Sequence, residues 1–254
     1  KTKFFKSNKS LFTLFTSGST GFPKGIEHSS GGYLVYTKLT CINQFGINSD
    51  STVLTASDAG WINGHTYSLF GPLTLGATTV LVEKPMQLID INLLKKILNL
   101  NVSILYLPVT LIRLLRAINK NMNIKSKSLV TLGSMGEPLA PSIGKWFSKS
   151  FNLEKKSIIN TYYQTETSGI ISSPKFTDKS KLVPHGSVGK VVTNKIIISK
   201  LNKIKKNEIQ IKSSWPGCMK KVINGKKEWM NYWSEKGHFR MFDLGVIKNS
   251  NIYI

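Results

Sequence analysis

A short stretch rich in hydroxyls and glycine constrains this chain more than any other part of it. Residues 16–25 read T-S-G-S-T-G-F-P-K-G. Such a loop can turn its backbone N–H groups inward around a polyphosphate, while the lysine neutralises phosphate charge. Glycine follows Lys24, where a Walker A loop has the serine or threonine that holds Mg²⁺. The stretch therefore predicts nucleotide binding of another type, and a flexible Ser/Gly turn is the alternative.

The pattern of apolar residues predicts an α/β fold with a parallel sheet and flanking helices, followed by a small β-rich subdomain. Short apolar segments predict strands at 11–15, 52–56, 78–82, 103–107, 129–132 and 157–160. Amphipathic segments predict helices at 32–41, 89–98, 110–119 and 141–151. Short β-rich pieces follow at 195–199 and 208–212. We therefore expect an α/β core over residues 1–189 and a β-rich subdomain over residues 190–254.

The composition argues against several classes of partner. The net charge is +22, but only three of the 35 basic residues are arginines, and the lysines are spread along the chain. Nucleic-acid readers concentrate arginine and aromatic residues on one face, so we expect a solvated lysine surface and no nucleic acid. No long uninterrupted apolar run or signal peptide is visible, which predicts no membrane association. Cys41 and Cys218 lie far apart, which favours a reducing, cytoplasmic location.

Several motifs together resemble one enzyme family. The string at 16–25 resembles the phosphate loop of the AMP-forming adenylating enzymes. E-H-S-S-G-G-Y-L at 27–34, D-A-G-W-I-N-G-H at 58–65 and Y-Y-Q-T-E-T at 162–167 are similar to motifs of its acetyl-CoA synthetase branch. The resemblance runs from about residue 11 to residue 254. It implies ATP-dependent activation of acetate or propionate to an acyl-adenylate and then an acyl-CoA, with release of AMP and pyrophosphate.

The resemblance assigns catalytic roles to Lys24, Thr165 and Glu166. Lys24 would neutralise phosphate charge, Thr165 would donate to an α-phosphate oxygen, and Glu166 would hold Mg²⁺. A carboxylate and a hydroxyl that follow a strand such as 157–160 suit those roles chemically. Taken alone, T-E-T is also typical of a helix N-cap followed by a first-turn glutamate.

The resemblance also implies a set of nucleotide contacts. The segment G-E-P at 136–138 would lie along the adenine, with Tyr162 stacked on its other face, and Asp243 would hold the ribose hydroxyls. An ordinary turn and a core tyrosine are the alternative for the first two. Met241 and Phe242 precede Asp243, where the family usually has Thr-Gly. The implied ATP- or AMP-binding residues are Thr16, Ser17, Gly18, Ser19, Thr20, Gly21, Gly136, Glu137, Pro138, Asn160, Thr161, Tyr162, Gln164 and Asp243.

The resemblance places the acid substrate in a pocket formed by Trp61, Ile62, Asn63, Met135 and Tyr163. The branch usually has Trp, Val, Thr, Val and Trp at these positions. Tyr163 opens space and Met135 fills some of it, so a short acid remains the expectation. His65 could act as a base by composition, but a structural role is the more common one for a single histidine.

The implied cofactors and substrates are ATP, Mg²⁺, CoA and a short-chain acid. Members of the family close the site with a mobile C-terminal domain, and they also have an N-terminal segment that this chain lacks. We therefore expect the N- and C-terminal parts of the same enzyme to be partners of this chain. We expect no useful acyl-CoA formation by residues 1–254 alone. Two alternatives are a nucleotide-binding remnant without turnover, which the departure at Met241 and Phe242 favours, and a lysine-rich nucleic-acid binder, which only the charge favours.

Overall fold

The fold comes from a computed structural model that describes residues 3–17, 23–178, 183–194, 196–223 and 225–254. Its strands are β1 (Ser10–Ser17), β2 (Pro23–Ser29), β3 (Thr52–Thr55), β4 (Thr78–Val80), β5 (Ile104–Pro108), β6 (Thr131–Met135), β7 (Ile159–Asn160), β8 (Ser172–Ser173), β9 (Lys190–Val191), β10 (Asn207–Ile211), β11 (Lys221–Ile223), β12 (Phe239–Lys248) and β13 (Asn251–Tyr253). Its α-helices are α1 (Ser30–Thr40), α2 (Ile62–His65), α3 (Gly71–Leu73), α4 (Ile91–Leu98), α5 (Val109–Ile118), α6 (Pro141–Ser150) and α7 (Lys226–Asn231). Single π-helical turns follow α1 and α2, at Cys41–Phe45 and Thr66–Phe70, and 3₁₀ turns lie at Pro85–Ile89 and Thr165–Thr167.

A parallel sheet of five strands forms the centre of the fold, as the sequence predicts. Its order is β4-β3-β5-β6-β7, and every neighbouring pair is parallel. Helices α4, α5 and α6 occupy the connections, which is the arrangement that parallel strands require. The loops that follow β6 and β7 therefore leave the same edge of the sheet, where open α/β sheets place their ligands.

The helices pack on the sheet through the faces that their periodicity predicts. In α6, Phe147 is fully buried, and Ile143 and Trp146 pack against the same cluster. Leu105 and Leu107 of β5 lie in that cluster and are also fully buried. Burial of each such side chain contributes about 1.5–3 kcal/mol, so this layer holds α4 to α6 on the sheet.

The predicted strand at 11–15 exists, but its place in a parallel sheet is wrong. It is part of β1, which pairs antiparallel with β2, and β2 pairs antiparallel with β11 in a separate three-stranded sheet. A parallel pair needs a crossover of about a dozen residues or more, whereas β2 begins at Pro23, directly after the short segment 18–22. The phosphate-loop segment therefore connects the two strands of a hairpin.

The C-terminal part is rich in antiparallel strands, as expected. β12 pairs with β10 and with β13, and β8 pairs with β9. The strand predicted at 208–212 is β10. Lys195 lies outside the described residues. The strand predicted at 195–199 is wrong for residues 196–199. There, Ile198 makes only an isolated bridge to Ile211. β11 comes from this C-terminal part and extends the sheet that begins with β1 and β2.

None of the helices within the described ranges combines the length and the apolar character needed to cross a membrane.

Candidate functional site

A cavity of about 970 Å³ lies at the carboxyl edge of the parallel sheet. Five parts of the chain form its wall: the β1–β2 hairpin, the segment before α2, the loops after β6 and β7, the region of α7, and β12. Among the residues that line it are Thr16, Lys24, Trp61, Ile62, Asn63, Gly136, Glu137, Pro138, Thr161, Tyr162, Tyr163, Gln164, Thr165, Glu166 and Asp243. The cavity therefore brings together most of the residues that the sequence singles out.

Two predicted residues do not line the cavity. Asn160 is buried, its Oδ1 accepts from Ser134 Oγ at 2.9 Å, and its Nδ2 donates to Ser187 O at 2.8 Å. Its amide thus joins β6 to a later loop, and the buried side chain lies outside the cavity wall. Met135 ends β6 and is 1% exposed within the core. Gly18, Ser19, Thr20 and Gly21 lie outside the described residues, and Ser17 is described only as the end of β1.

A tyrosine that sequence reasoning missed joins the two predicted charged groups of the site. Lys24 Nζ donates to Tyr232 Oη at 3.0 Å, and Tyr232 Oη donates to Glu166 Oε1. The Lys24 ammonium also lies 5.0 Å from the centre of the Tyr232 ring. Burial raises the pKa of the Tyr232 hydroxyl, and the neighbouring Glu166 carboxylate raises it further. The hydroxyl therefore stays protonated and acts as a donor to Glu166.

The T-E-T segment forms a 3₁₀ turn that is anchored at both ends. Gln164 occupies the N-cap position, and its backbone N–H donates to Thr167 Oγ1 at 3.1 Å. Thr165 is therefore inside the turn and not its cap, while Glu166 is in the first turn. The Thr165 carbonyl lies 2.8 Å from Nε2 of the buried His28. Burial lowers the pKa of His28 to about 4, so the ring is neutral near pH 7.

Asp243 is held in place by two predicted neighbours. Its Oδ2 accepts from Tyr162 Oη at 2.9 Å and from Gln164 Nε2 at 2.6 Å. Gln164 Nε2 also donates to the carbonyl of Met241 at 2.6 Å. Both N–H groups of the Gln164 amide are thus occupied by hydrogen bonds to the protein. These bonds fix the carboxylate of Asp243 on the cavity wall.

The departure before Asp243 has a local structural cost. Phe242 has φ 57°, in the left-handed region that glycine adopts freely. A residue with a Cβ in that region costs about 1–2 kcal/mol. The Phe242 ring is half exposed, and the Arg240 guanidinium lies 4.7 Å from its centre. The backbone thus has the form that a glycine would favour, although the glycine is absent.

The turn after β6 keeps open space beside the cavity. Gly136 has φ +85°, and no heavy atom lies within 4 Å of the position that a Cβ would occupy. Glu137 forms an ion pair with Arg113 of α5, with 2.8 Å between Oε2 and Nη1. A flat ring can therefore approach this backbone closely, and the ion pair ties the turn to a helix of the core.

The residues assigned to the acid pocket differ in their surroundings. Ile62 is buried and Tyr163 half-buried, whereas Trp61 is 67% exposed. Tyr163 packs edge-on against Tyr67, with ring centres 5.6 Å apart, and its hydroxyl lies 3.4 Å from that of Tyr106. Asn63 Oδ1 is buried and has no hydrogen-bond partner among the described residues. This part of the cavity wall therefore combines an aromatic ring at Tyr163 with a polar group at Asn63.

The Glu166 carboxylate fits a Mg²⁺ site of the kind that uses few protein ligands. Mg²⁺ at nucleotides is usually bound by one or two carboxylates together with phosphate oxygens and water. Tyr232 uses Oε1 of Glu166, and Oε2 has no protein partner in the described part of the chain. The same described part contains no cluster of three or more His, Cys, Asp or Glu side chains that could hold a metal unaided.

The sequence also gives no signal for other residues of the wall. Glu228 and Asn231 of α7, Arg240 of β12 and the C-terminal Ile254 line the cavity together with Tyr232. The aromatic segment around α7 offers only an amphipathic pattern, which is typical of ordinary packing. Their place in the site depends on how the C-terminal part folds over the sheet.

Comparison with known proteins assigns the chain to a family. A family profile described as AMP-binding enzyme matches residues 1–208. This chain belongs to the AMP-binding enzymes. An acetyl-coenzyme A synthetase of Helicobacter pylori (strain P12) is 42% identical over 171 residues, which are 66% of this chain and 26% of that protein. Another, from Marinomonas sp. (strain MWYL1), is 33% identical over 92% of this chain and 36% of that protein.

A solved structure confirms the fold of this AMP-binding protein. The crystal structure of the anthranilate CoA ligase AuaEII in complex with anthranoyl-AMP matches with a TM-score of 0.82 and 18% identity. The match covers 97% of this chain and 47% of that one. The chain thus spans about a quarter to a third of the length of the curated relatives, at 26% and 36%, and about half of the structural one.

Proposed function

We propose that the intact protein activates a short-chain carboxylic acid, acetate or propionate, at the expense of ATP. In the first step a carboxylate oxygen of the acid attacks the α-phosphorus, and the bond to pyrophosphate breaks. In the second step the thiol of CoA attacks the acyl carbon, and AMP leaves with the bonding electron pair. This AMP-forming acid–thiol ligase reaction needs positioning and charge neutralisation more than a protein nucleophile.

The single observation that carries the proposal is that one cavity collects groups suited to every part of the nucleotide. Lys24 and Glu166 provide the charges for the phosphates and Mg²⁺, and Asp243 provides a fixed acceptor for ribose hydroxyls. The open backbone at Gly136 accommodates a flat base. The acetyl-coenzyme A synthetase relatives support the choice of acid and of CoA.

Each group has a distinct task in this proposal. Lys24 neutralises phosphate charge as pyrophosphate leaves, and the Thr165 hydroxyl donates to an α-phosphate oxygen. Glu166 holds Mg²⁺, which supplies further charge neutralisation on the phosphates. Ile62 and Tyr163 limit the length of the acid, and Asn63 lies beside them in the wall.

The wider organisation is part of the same proposal. Residues 1–189 form the nucleotide-binding core and residues 190–254 a β-rich subdomain. The reaction takes place in the cytoplasm and depends on parts of the enzyme outside residues 1–254. Turnover by residues 1–254 alone is therefore not expected. Free Cys41 and Cys218 are in keeping with a reducing compartment.

The test is acid-dependent ATP–pyrophosphate exchange by the intact protein. Lys24→Ala and Glu166→Ala should each lower the exchange rate roughly 100-fold or more, the scale of losing one preorganised charge-stabilising group. Lys149→Ala and Glu154→Ala remove the same kinds of charge from exposed positions away from the cavity and serve as controls. Exchange that is unchanged in both site variants would overturn the assignment. Nucleotide binding without exchange for any acid would favour a nucleotide-binding remnant.

A further inference from the structure

Tyr232 lies between the two opposite charges of the cavity. Its hydroxyl accepts from Lys24 Nζ at 3.0 Å and donates to Glu166 Oε1. Within the described residues, Lys24 and Glu166 form no direct ion pair. The tyrosine hydroxyl thus takes the place that a direct contact between ammonium and carboxylate would occupy.

The hydroxyl is held rigidly, because the rest of the tyrosine is packed. Tyr232 is 3% exposed, and its ring stacks on that of Phe239 with centres 5.6 Å apart and planes 7° apart. Phe242 meets the ring edge-on at 5.5 Å. The backbone N–H of Arg240 donates to Tyr232 O at 2.8 Å. The ring cannot swing aside without breaking these contacts.

A direct ion pair between Lys24 and Glu166 would compete with the ligand. Opposite charges in a partly enclosed cavity attract more strongly than in water. If they paired, the ammonium would be unavailable to a phosphate and the carboxylate unavailable to a cation. A neutral bridging hydroxyl satisfies one hydrogen-bonding site on each group and leaves the others free, including Glu166 Oε2.

We propose that Tyr232 is a positioning residue, which keeps Lys24 and Glu166 bridged but unpaired so that both remain available to the phosphates and Mg²⁺ of a bound nucleoside triphosphate. This inference rests on the proposed function, because it assumes that the cavity binds ATP with Mg²⁺. Its consequence is specific. Loss of the hydroxyl weakens the binding of Mg²⁺–ATP more than the binding of metal-free ATP.

The test measures binding, so it does not depend on turnover. Calorimetric titration gives the dissociation constant of ATP with excess Mg²⁺ and with EDTA, and the ratio of the two is the gain from the metal. In Tyr232→Phe this gain should fall about tenfold or more, as expected for a lost hydrogen bond to a charged group. Tyr36→Phe is the control, since Tyr36 is equally buried and its hydroxyl donates to Ile170 O, at 2.6 Å, away from the cavity wall.

A double-variant cycle separates the positioning role from simple support of the fold. Lys24→Met removes the charge that could pair with Glu166 and leaves that carboxylate in place, so adding Tyr232→Phe to Lys24→Met should lower the metal gain much less than Tyr232→Phe does in the unmodified protein. A purely structural role would lower the midpoint of thermal unfolding in Tyr232→Phe without changing the metal gain. That result, or equal losses of metal gain in both backgrounds, would overturn the inference.

The outcomes also distinguish this inference from the proposed function. If the unmodified protein gains nothing from Mg²⁺, the metal role of Glu166 and the positioning role of Tyr232 are both wrong. If the gain is present and falls in Tyr232→Phe, but no acid supports exchange, the proposed reaction is wrong and the role of Tyr232 stands.

Discussion

His28 should make the stability of the protein depend on pH through the loop that carries Glu166. The ring is fully buried, with Nε2 2.8 Å from Thr165 O and Nδ1 2.9 Å from Ser168 Oγ. Burial lowers its pKa from 6.5 to about 4, the hydrogen bond to Thr165 opposes this shift, and the charge of His65 adds to it. The unfolded chain therefore binds a proton on this residue at a higher pH than the folded protein does.

The sign and size of the effect follow from that difference. Stability falls with falling pH wherever the unfolded chain binds more protons, which here is the range from about pH 6.5 to about pH 4. For one group with these two pKa values, the loss between pH 7.5 and pH 5.0 is about 2 kcal/mol. That is a large fraction of the free energy of unfolding of a typical domain, about 5–15 kcal/mol.

The measurement is urea unfolding followed by tryptophan fluorescence at both pH values, for the unmodified protein and for His28→Gln. Glutamine retains a donor for the Thr165 carbonyl but does not titrate. Between pH 7.5 and pH 5.0 the free energy of unfolding of the variant should therefore fall by about 2 kcal/mol less than that of the unmodified protein. His238→Gln, at a histidine outside this network, is the matched control for the same substitution elsewhere in the protein. Comparing differences between pH values removes any constant cost of the substitution.

The arrangement around Ser168 defines the result that would refute this reasoning. Ser168 Oγ lies 2.7 Å from Gly217 O as well as 2.9 Å from His28 Nδ1, and its single proton can serve only one of them. A charged imidazole would satisfy both, since Nδ1–H could donate to Ser168 while Ser168 donates to Gly217. The unmodified protein would then become more stable than His28→Gln on acidification, and a buried neutral His28 would be wrong.

Two further predictions concern the substrates. Tyr163→Gly should broaden acid choice towards longer chains and Tyr163→Trp should narrow it towards acetate, with shifts of roughly 10–200-fold per methylene; relative exchange rates for acetate, propionate and butyrate that stay the same in both variants would contradict the pocket assignment. Asp243→Asn should weaken ATP binding about tenfold, because it removes the charge from a hydrogen bond to the ribose. Titration with 2′-deoxy-ATP checks the site, since the unmodified protein should prefer ATP and the variant should discriminate less; equal discrimination in both would place the ribose elsewhere.

Much of the fold is predictable because local patterns and short-range topology agree. The strands β3 to β7 and the helices α4 to α6 follow from apolar runs and amphipathic periodicity, and parallel strands must be joined by such helices. The strand β2 (Pro23–Ser29) was missed because its polar residues hide the pattern. Glu27 is buried there in contact with Ser10, Lys220 and Lys221, which come from distant parts of the chain. No local rule anticipates a buried carboxylate with distant partners.

The motifs identified most of the cavity wall but not the contacts within it. Asn160 ends the predicted strand, yet its amide bonds to Ser134 and Ser187, and the residues after it line the cavity instead. Gln164 reaches the wall but uses its amide nitrogen on Asp243 and on the Met241 carbonyl. A motif specifies residue types at a spacing, whereas the direction of a side chain depends on what packs beside it.

The sequence alone therefore predicted the groups that we propose bind the nucleotide: a loop rich in hydroxyls and glycine, a lysine and a carboxylate in fixed order along the chain. Those features are local, because each motif provides its own glycines, hydroxyls and charges. Only the tertiary structure decided how they meet. Lys24 and Tyr232 are separated by 208 positions, and Tyr162 and Asp243 by 81. Such contacts form only when the C-terminal part of the chain folds against the edge of the parallel sheet, because that folding buries together groups that are distant in the sequence.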